Sequence, residues 1–221
     1  KRRVYIDGPR RCGKTTLVVN TLEQAGIPVL RIDLEGIASR ERLAERIASS
    51  VNVFLDHSPK ARDRLLSTSS VKAGVASHLL GVLSLKIESE KVTQSRKPEQ
   101  TIDSLLCAVN DIAHITDSVV FIDEFQSVKD PKFTDAGEVM GAFATVSDPE
   151  RTRNNASFVF AGSNRHAMHE IFNNADSYFF RRTENIPVGP IPEAQIIPFL
   201  DGRFDRVVPP IIAREAYRLT E

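Results

Sequence analysis

Residues 8–15 read Gly8-Pro9-Arg10-Arg11-Cys12-Gly13-Lys14-Thr15, and this octapeptide constrains the fold more than any other segment of the chain. It fits the pattern G-x-x-x-x-G-K-[ST] without a gap. A short apolar strand from Arg3 to Asp7 precedes it, and an amphipathic helix from Lys14 to Ala25 follows, with Gly26 as its stop. Glycines let such a loop wrap closely around phosphates, while backbone N–H groups and the helix N-terminus face the anion. The sequence therefore predicts a phosphate-binding loop.

The loop residues have distinct expected contacts with the phosphates of ATP. Lys14 should reach the β- and γ-phosphates, and Thr15 should offer its hydroxyl to Mg²⁺. A simpler alternative exists for the side chains of Arg10 and Arg11, which is solvated loop charge. The other positions that we expect to contact ATP are Gly8, Pro9, Arg10, Arg11, Cys12, Gly13, Thr16 and, further along the chain, Pro190.

A second pattern, Phe121-Ile122-Asp123-Glu124-Phe125-Gln126, follows an apolar run that begins at Val119. A continuous apolar run that ends in an acid is typical of a buried parallel strand. Asp123 should hold Mg²⁺, and Glu124 should polarise the attacking water as a general base. A second acid beside the magnesium ligand favours hydrolysis over transfer to a small-molecule acceptor. The alternative is a solvated strand end.

Polar residues also follow the next apolar strand, Ser157 to Gly162. Ser163 or Asn164 could position the attacking water, and Arg165 could sense the γ-phosphate. A simple hydrogen-bonding cluster in a loop explains the same residues equally well.

Two further features precede and follow a predicted last strand, Glu184 to Ile191. Arg181 and Arg182 lie just before it, where one of them could reach a γ-phosphate in the same chain or across a subunit interface. A plain salt bridge is the alternative. Pro190, in the turn Val188-Gly189-Pro190-Ile191-Pro192, could pack on adenine or simply belong to a linker.

Composition narrows the class of protein. Lys and Arg total 29, as do Asp and Glu, so the zero net charge gives no global attraction to nucleic acid or membrane. No apolar run approaches the roughly 20 residues that span a bilayer. Cys12 and Cys107 suggest neither a disulfide framework nor a metal site, which favours the cytoplasm. The five histidines are scattered without a complete ligand set.

Strands that alternate with helices predict an α/β sandwich with a parallel sheet. Ser39 should cap a helix that runs to about Leu55, and a second amphipathic helix should span Gln100 to Ile115. We expect a core at 1–191 with an insertion around 57–100, which contains a strand or hairpin at Leu83–Glu88. Residues 192–221 should begin a helical lid that the chain cuts off, as part of a longer protein.

Taken in order, these motifs resemble the archaeal-type ATPase family, which lies close to the STAND ATPases and, more broadly, to the AAA+ class. The resemblance rests on Gly-Pro-Arg-Arg-Cys-Gly-Lys-Thr-Thr-Leu, Asp-Glu-Phe-Gln, Ala-Gly-Ser-Asn-Arg, and Phe-Arg-Arg-Thr-Glu with Val-Gly-Pro-Ile. It implies a P-loop NTPase sandwich whose five parallel strands have the order 5-1-4-3-2, followed by a helical lid and usually a winged helix.

The same resemblance implies roles for single residues. Lys14, Thr15, Asp123 and Glu124 keep the roles given above. The positions that match softer family features are Arg165 (a sensor arginine), Arg181 (an arginine before the last strand) and Pro190 (a turn near adenine). The interval between Lys14 and Asp123 is long for the family because of the insertion.

Three functions fit these patterns. The sequence favours a Mg²⁺-dependent ATPase that acts as a nucleotide-dependent switch or oligomerising ATPase, with a second copy or another protein as its partner. A nucleic-acid motor or loader is the alternative, with DNA bound through flanking domains or through Arg62-Asp63-Arg64. A small-molecule kinase fits the phosphate loop, but the Asp123-Glu124 pair argues against it.

Overall fold

The structure, a computed structural model, describes residues 3–67, 98–133, 135–150 and 156–189, together with positions 192, 194, 195 and 198. The predicted strand at Leu83–Glu88, Pro190 and most of the predicted lid lie outside the described residues. The strands are β1 (Arg3–Asp7), β2 (Val29–Asp33), β3 (Val119–Asp123), β4 (Ser157–Gly162) and β5 (Glu184–Pro187). The helices are α1 (Lys14–Gln24), α2 (Arg40–His57), α3 (Pro59–Ser67), α4 (Pro98–Ile115), α5 (Ala136–Val146) and α6 (Arg165–Asn173), with a 3₁₀ helix at Phe125–Lys129.

The five strands form one parallel sheet in the order β2-β3-β4-β1-β5. This is the predicted order 5-1-4-3-2 read from the opposite edge, so the fold prediction is confirmed. All five residues of β3 are buried, as its unbroken apolar run predicts, whereas β5 lies at the sheet edge with all four residues exposed. Because the strands are parallel, the segments that follow β1, β3 and β4 all leave the sheet on the side where the carboxyl ends of the strands lie. This side is called the carboxyl edge below.

Helix α2 begins at a capping residue and buries one apolar face, both as the sequence predicts. The hydroxyl of Ser39 accepts a hydrogen bond from the backbone N–H of Arg42, which confirms the predicted N-cap. The apolar stripe of this helix is fully buried in the main core, where it contributes Leu43, Ile47, Val51 and Phe54. The predicted last strand is shorter than expected: β5 ends at Pro187, beyond which the backbone N–H of Val188 still bonds to the carbonyl of Asp7.

An aromatic cluster fills the layer between the sheet and helix α6. Tyr5 stacks on Phe172 with 4.4 Å between ring centroids, and Phe125 contacts the rings of Phe160 and Phe179. Burial raises the pKa of the Tyr5 phenol above its ordinary value. The cluster anchors Phe125 in the core immediately after Glu124, so it fixes the backbone on which that acid stands.

No helix in the described part of the chain has the length and apolarity needed to cross a membrane. The boundary between core and lid stays a prediction.

Candidate nucleotide-binding site

The loop between β1 and α1 has a backbone suited to binding an anion. Gly13, the N-cap of α1, has φ of 82°, and Arg11 also lies in the left-handed region with φ of 64°. No side chain caps the helix, and its first turn carries no acid. The N–H groups at this helix N-terminus are therefore directed toward the loop without a competing carboxylate, as a phosphate site requires.

Gly8 is needed because another part of the chain packs directly on it. A Cβ at this position would lie 2.2 Å from the carbonyl oxygen of Val188. The backbone N–H of Val188 donates to the carbonyl of Asp7 at 2.8 Å, which holds that contact in place. The segment after β5 is thus packed against the start of the phosphate loop.

Lys14 is only 6% exposed, and its ammonium turns back into the loop. Nζ donates to the carbonyl of Gly8 at 2.9 Å and to that of Pro9 at 2.7 Å. These carbonyls satisfy a buried cation that would otherwise be costly. Lys14 therefore holds its charge at the centre of the loop, where the phosphates of a nucleotide are expected.

Thr15 and Asp123 lie together although 108 positions separate them in the chain. The Thr15 hydroxyl donates to Asp123 Oδ2 at 2.8 Å, and Asp123 is almost fully buried. A hydroxyl and a carboxylate are the hard oxygen donors that Mg²⁺ takes from proteins. The pair fits the predicted metal position.

The side chain of Arg31 on β2 also bonds to Asp123. The sequence did not predict this contact. Its Nη2 donates to Asp123 Oδ2 at 2.8 Å and to Asp33 Oδ2 at 3.0 Å. The register of β2 on β3 places Asp33 directly beside Asp123, so one guanidinium lies between two neighbouring carboxylates. A single arginine in an otherwise apolar strand that ends in an acid was the only available signal.

Glu124 is the first residue after β3, and its side chain points toward the tip of β4. Its φ of 51° lies in the left-handed region, and it is the N-cap of the 3₁₀ helix. Its Oε2 accepts hydrogen bonds from the Ser163 hydroxyl at 2.8 Å and from the Gln126 amide. The sequence assigned no function to Gln126.

Arg165 begins α6 and is exposed, next to the phosphate loop. It shares with Pro9, Arg10 and Ser163 the wall of a groove of about 820 Å³. Asn164 instead caps α6, because its Oδ1 accepts from the N–H of Ala167 at 3.1 Å. The structure therefore brings Arg165 and Ser163 to the predicted site, whereas the Asn164 side-chain oxygen already serves as a cap.

Arg181 lies at the opposite edge of the sheet, called the amino edge below. The register that pairs Val4 with Glu184 and Asp7 with Pro187 puts it before the start of β5, at least about 13 Å from the phosphate loop. Its guanidinium lies 5.1 Å from the Phe180 ring centroid. Within one chain Arg181 is thus remote from Lys14, and an interface role stays a prediction. Arg182 forms an ion pair with Asp148 at 2.9 Å, which is the salt bridge that the sequence left open for these two arginines.

The basic segment considered for nucleic-acid binding, Arg62-Asp63-Arg64, lies on α3. Arg64 donates to Asp117 at 2.8 Å, so part of its positive charge is already compensated. The described basic side chains at Arg31, Arg40, Lys129 and Arg182 also face acids. The structure adds no support for a strongly basic surface.

Comparison with solved structures shows which proteins share this fold. The Walker-type ATPase PABY2304 of Pyrococcus abyssi matches with a TM-score of 0.62 and 20% identity over 98% of this chain and 57% of its own. The ORC2 protein of Aeropyrum pernix in its ADP form matches with 0.53 and 14% over 95% and 49%. CDC6P of Pyrobaculum aerophilum matches with 0.54 and 12% over 97% and 47%. The chain thus spans about half the length of these proteins, and at such identities the likeness concerns the fold.

Sequence comparisons supply the family. The search of curated proteins found no significant match. A family model described as an AAA domain matches residues 1–169, which is most of the chain and includes the phosphate loop, β3 and the tip of β4. The chain belongs to this AAA domain family and has the fold of a P-loop ATPase.

Proposed function

We propose that this chain binds ATP with Mg²⁺, hydrolyses it to ADP and phosphate, and acts as a nucleotide-dependent switch or oligomerising ATPase. The observation that carries the proposal is the 2.8 Å contact between Thr15 on the phosphate loop and Asp123 on β3, with Glu124 as the next residue. Thr15, Asp123 and Ser163, from three separate segments, lie at one edge of the sheet, which supports a site that both binds and hydrolyses ATP. A phosphate loop that merely bound an anion would need no paired acids beside it.

The phosphate loop provides the groups for ATP binding. The helix N-terminus and Lys14 would hold the β- and γ-phosphates, and the ammonium would exchange loop carbonyls for phosphate oxygens. Thr15 and Asp123 would hold Mg²⁺, which when bound neutralises charge on the phosphates. Arg165, across the groove from Pro9, would contact the γ-phosphate end.

Hydrolysis would use Glu124 as the general base. A water oxygen forms a bond to the γ-phosphorus while Glu124 accepts a proton from that water. The bond between the γ-phosphorus and the bridging oxygen breaks, and the bridging oxygen keeps the electron pair as ADP departs. Glu124 then returns its proton to phosphate or solvent. Lys14 stabilises the negative charge that develops on the phosphate oxygens.

The proposed nucleotide-dependent switch depends on the packing of Val188 against Gly8. A phosphate loop that adjusts to its nucleotide would displace the segment after β5, because no side chain separates the two backbones. That segment leads toward the predicted lid at 192–221, so a local change would reach the rest of the protein. Arg181, remote from the site in its own chain, is suited to contact the site of a second copy.

Two substitutions in the intact protein test the proposal. Lys14→Ala should abolish measurable ATP binding, and Glu124→Gln should retain binding while hydrolysis slows by about 10²- to 10⁴-fold. Isothermal calorimetry gives the affinity, and phosphate release gives the rate. Lys60→Ala, an exposed lysine on α3, should match the wild type in both measurements and serves as the control.

Two results would contradict the mechanism or the switch. Unchanged hydrolysis in both variants would exclude the assigned roles of Lys14 and Glu124. ADP formed without free phosphate would indicate transfer to an acceptor, as in a kinase. For the switch, Glu124→Gln should sediment as a larger species with ATP than with ADP, and identical sedimentation would remove the oligomerisation part of the proposal.

A further inference from the structure

The carboxylate of Glu124 is held through only one of its two oxygens. Both side-chain donors, the Ser163 hydroxyl and the Gln126 amide, bond to Oε2. Among the described residues, none donates to Oε1. One oxygen is therefore restrained on both sides, whereas the other keeps its lone pairs for a further proton.

The orientation of the Gln126 amide follows from its neighbours. Its Nε2 lies against Glu124 Oε2 and also 3.3 Å from the Ser163 oxygen, while its Oε1 is buried without a hydrogen-bond partner among the described residues. A flipped amide would place an oxygen against a carboxylate, which is electrostatically unfavourable. The N–H group, not the carbonyl, therefore faces Glu124.

Gly162 makes room for this amide. A Cβ at Gly162 would lie 2.3 Å from Gln126 Oε1 and 2.4 Å from the sulfur of Met168. The conformation of Gly162 is not in the positive-φ region, so the absence of a side chain serves space and not backbone freedom. The amide is thus inserted between the end of β3 and the tip of β4, against bare backbone.

We propose that Gln126 is a positioning residue for Glu124: its amide N–H, together with the Ser163 hydroxyl, fixes Oε2 so that Oε1 faces the attacking water. This inference rests on the proposed ATP hydrolysis. Glu124 stands on a turn, and its side chain has three rotatable bonds, so an unrestrained carboxylate would populate several rotamers. Restraining it beforehand removes that ordering cost from the chemical step.

The test compares two substitutions of similar size in the intact protein. Gln126→Met keeps the length of the side chain and removes the donor, and Gln126→Glu replaces the donor by an acceptor. Single-turnover hydrolysis should slow by about 10- to 100-fold in both, which is the range found for residues that orient the ligands of a metal site. The Kd for ATP should stay within about twofold, and Tm should change little, because the described hydrogen bonds of the Gln126 side chain go to Glu124 and Ser163 and not to the phosphate loop. Gln24→Met, an exposed glutamine at the end of α1, is the matched control and should leave the rate unchanged.

A double-mutant cycle separates positioning from packing. If Gln126 acts only through Glu124, Gln126→Met should cost nothing further in a Glu124→Gln background. Gly162→Ala, which adds one methyl where the amide lies, should reproduce the slow hydrolysis with near-normal ATP binding. Additive losses in the cycle would overturn the proposal, and so would a parallel loss of ATP affinity or Tm in both Gln126 variants.

The outcomes also separate this inference from the proposed function. If Glu124→Gln hydrolyses ATP slowly while Gln126→Met hydrolyses it at the wild-type rate, the positioning role is refuted and the ATPase proposal stays intact. A wild-type rate in Glu124→Gln would refute both, because Gln126 would then have no base to position.

Discussion

The charged side chains at the two edges of the sheet connect different parts of the molecule. At the carboxyl edge Thr15 donates to Asp123, Ser163 donates to Glu124, and Lys14 donates to carbonyls of the phosphate loop, so all three contacts lie around the candidate site. At the amino edge the buried Arg3 donates to the main-chain carbonyl of Ala144 at 3.1 Å and lies 5.8 Å from the Phe179 ring centroid. A bound nucleotide can replace contacts that surround the phosphate loop, whereas Arg3 and Arg182 bond to α5 and to Asp148 just after it, and so hold separate elements together.

Backbone strain does not distinguish the two edges. Left-handed conformations of residues other than glycine occur at Arg11 and Glu124 on the carboxyl edge and at Asp117 and Arg181 on the amino edge. A positive φ alone therefore does not mark the candidate site, although strained residues often cluster at functional sites. What the charged side chains connect is the more informative difference.

Among the effects that test this comparison, the largest is expected at the amino edge, on stability. Arg182→Met removes the guanidinium from Asp148, whose side chain is only 5% exposed. The loss should be about 2 kcal/mol, between the values for exposed and buried ion pairs, because Arg182 itself is half exposed. For a chain of this size that is a fall in Tm of about 6 °C. Denaturant unfolding measures the free energy, and the ATP affinity of the folded protein should not change.

The neighbouring arginine is the matched control for that measurement. Arg181 is also exposed, and among the described residues no acid forms an ion pair with it. Arg181→Met should alter the free energy of unfolding by less than about 0.5 kcal/mol. Equal losses in the two variants would mean that Asp148 is not the cause, and a weaker ATP affinity in Arg182→Met would break the distinction between the edges.

A smaller effect is expected at the carboxyl edge, on metal binding. Arg31→Met removes a positive charge 2.8 Å from the carboxylate that we propose as a magnesium ligand. With Asp33 alongside, the site becomes more negative, and Mg²⁺ should bind about fivefold more tightly, which is about 1 kcal/mol for a partly exposed charge. The Mg²⁺ concentration that half-maximally raises Tm in the presence of ADP measures this. Arg31→Lys keeps the charge and should behave nearly as the wild type, and weaker Mg²⁺ binding in Arg31→Met would show that Arg31 supports the site.

The sequence was sufficient for the fold because the deciding signals are local. Each buried strand is a short apolar run, and the phosphate loop fixes which strand precedes which helix, so an α/β sandwich with a parallel sheet could be predicted. The order of the strands was implied only by the resemblance of the motifs to a known family. Lys14, Thr15, Asp123 and Glu124 could be proposed as site residues in the same way. Their roles stay predictions, but the structure brings all four to one edge.

The remaining contacts depend on pairing between distant strands, which no local pattern specifies. Arg31 reaches Asp123 only because β2 and β3 pair in a register that places Asp33 beside it. Gln126 reaches Glu124 beside a glycine on β4, a strand whose distance from β3 in space cannot be read from residue spacing. For Arg181, the sequence left open a γ-phosphate in the same chain, one across an interface, and a salt bridge, and only the parallel pairing of β5 with β1 placed it at the other edge.

The smallest effect is expected for a side-chain pair on the carboxyl-edge surface, Lys129 and Glu170. The hydrogen bond and charge of Lys129 lower the pKa of Glu170 below its ordinary value of 4.5. A lowered folded-state pKa contributes stability above pH 4.5 that is lost as the pH falls through the folded-state value. Because the pair is at the surface, solvent screening should make Glu170→Gln nearly neutral at pH 7, with a Tm within about 1 °C of the wild type, and any difference should shrink as the pH falls below 4.5. A deficit of several degrees at pH 7 that does not shrink as the pH falls below 4.5 would mean that Glu170 stabilises the fold by packing. This pair would then hold elements together, as the contacts at the amino edge do.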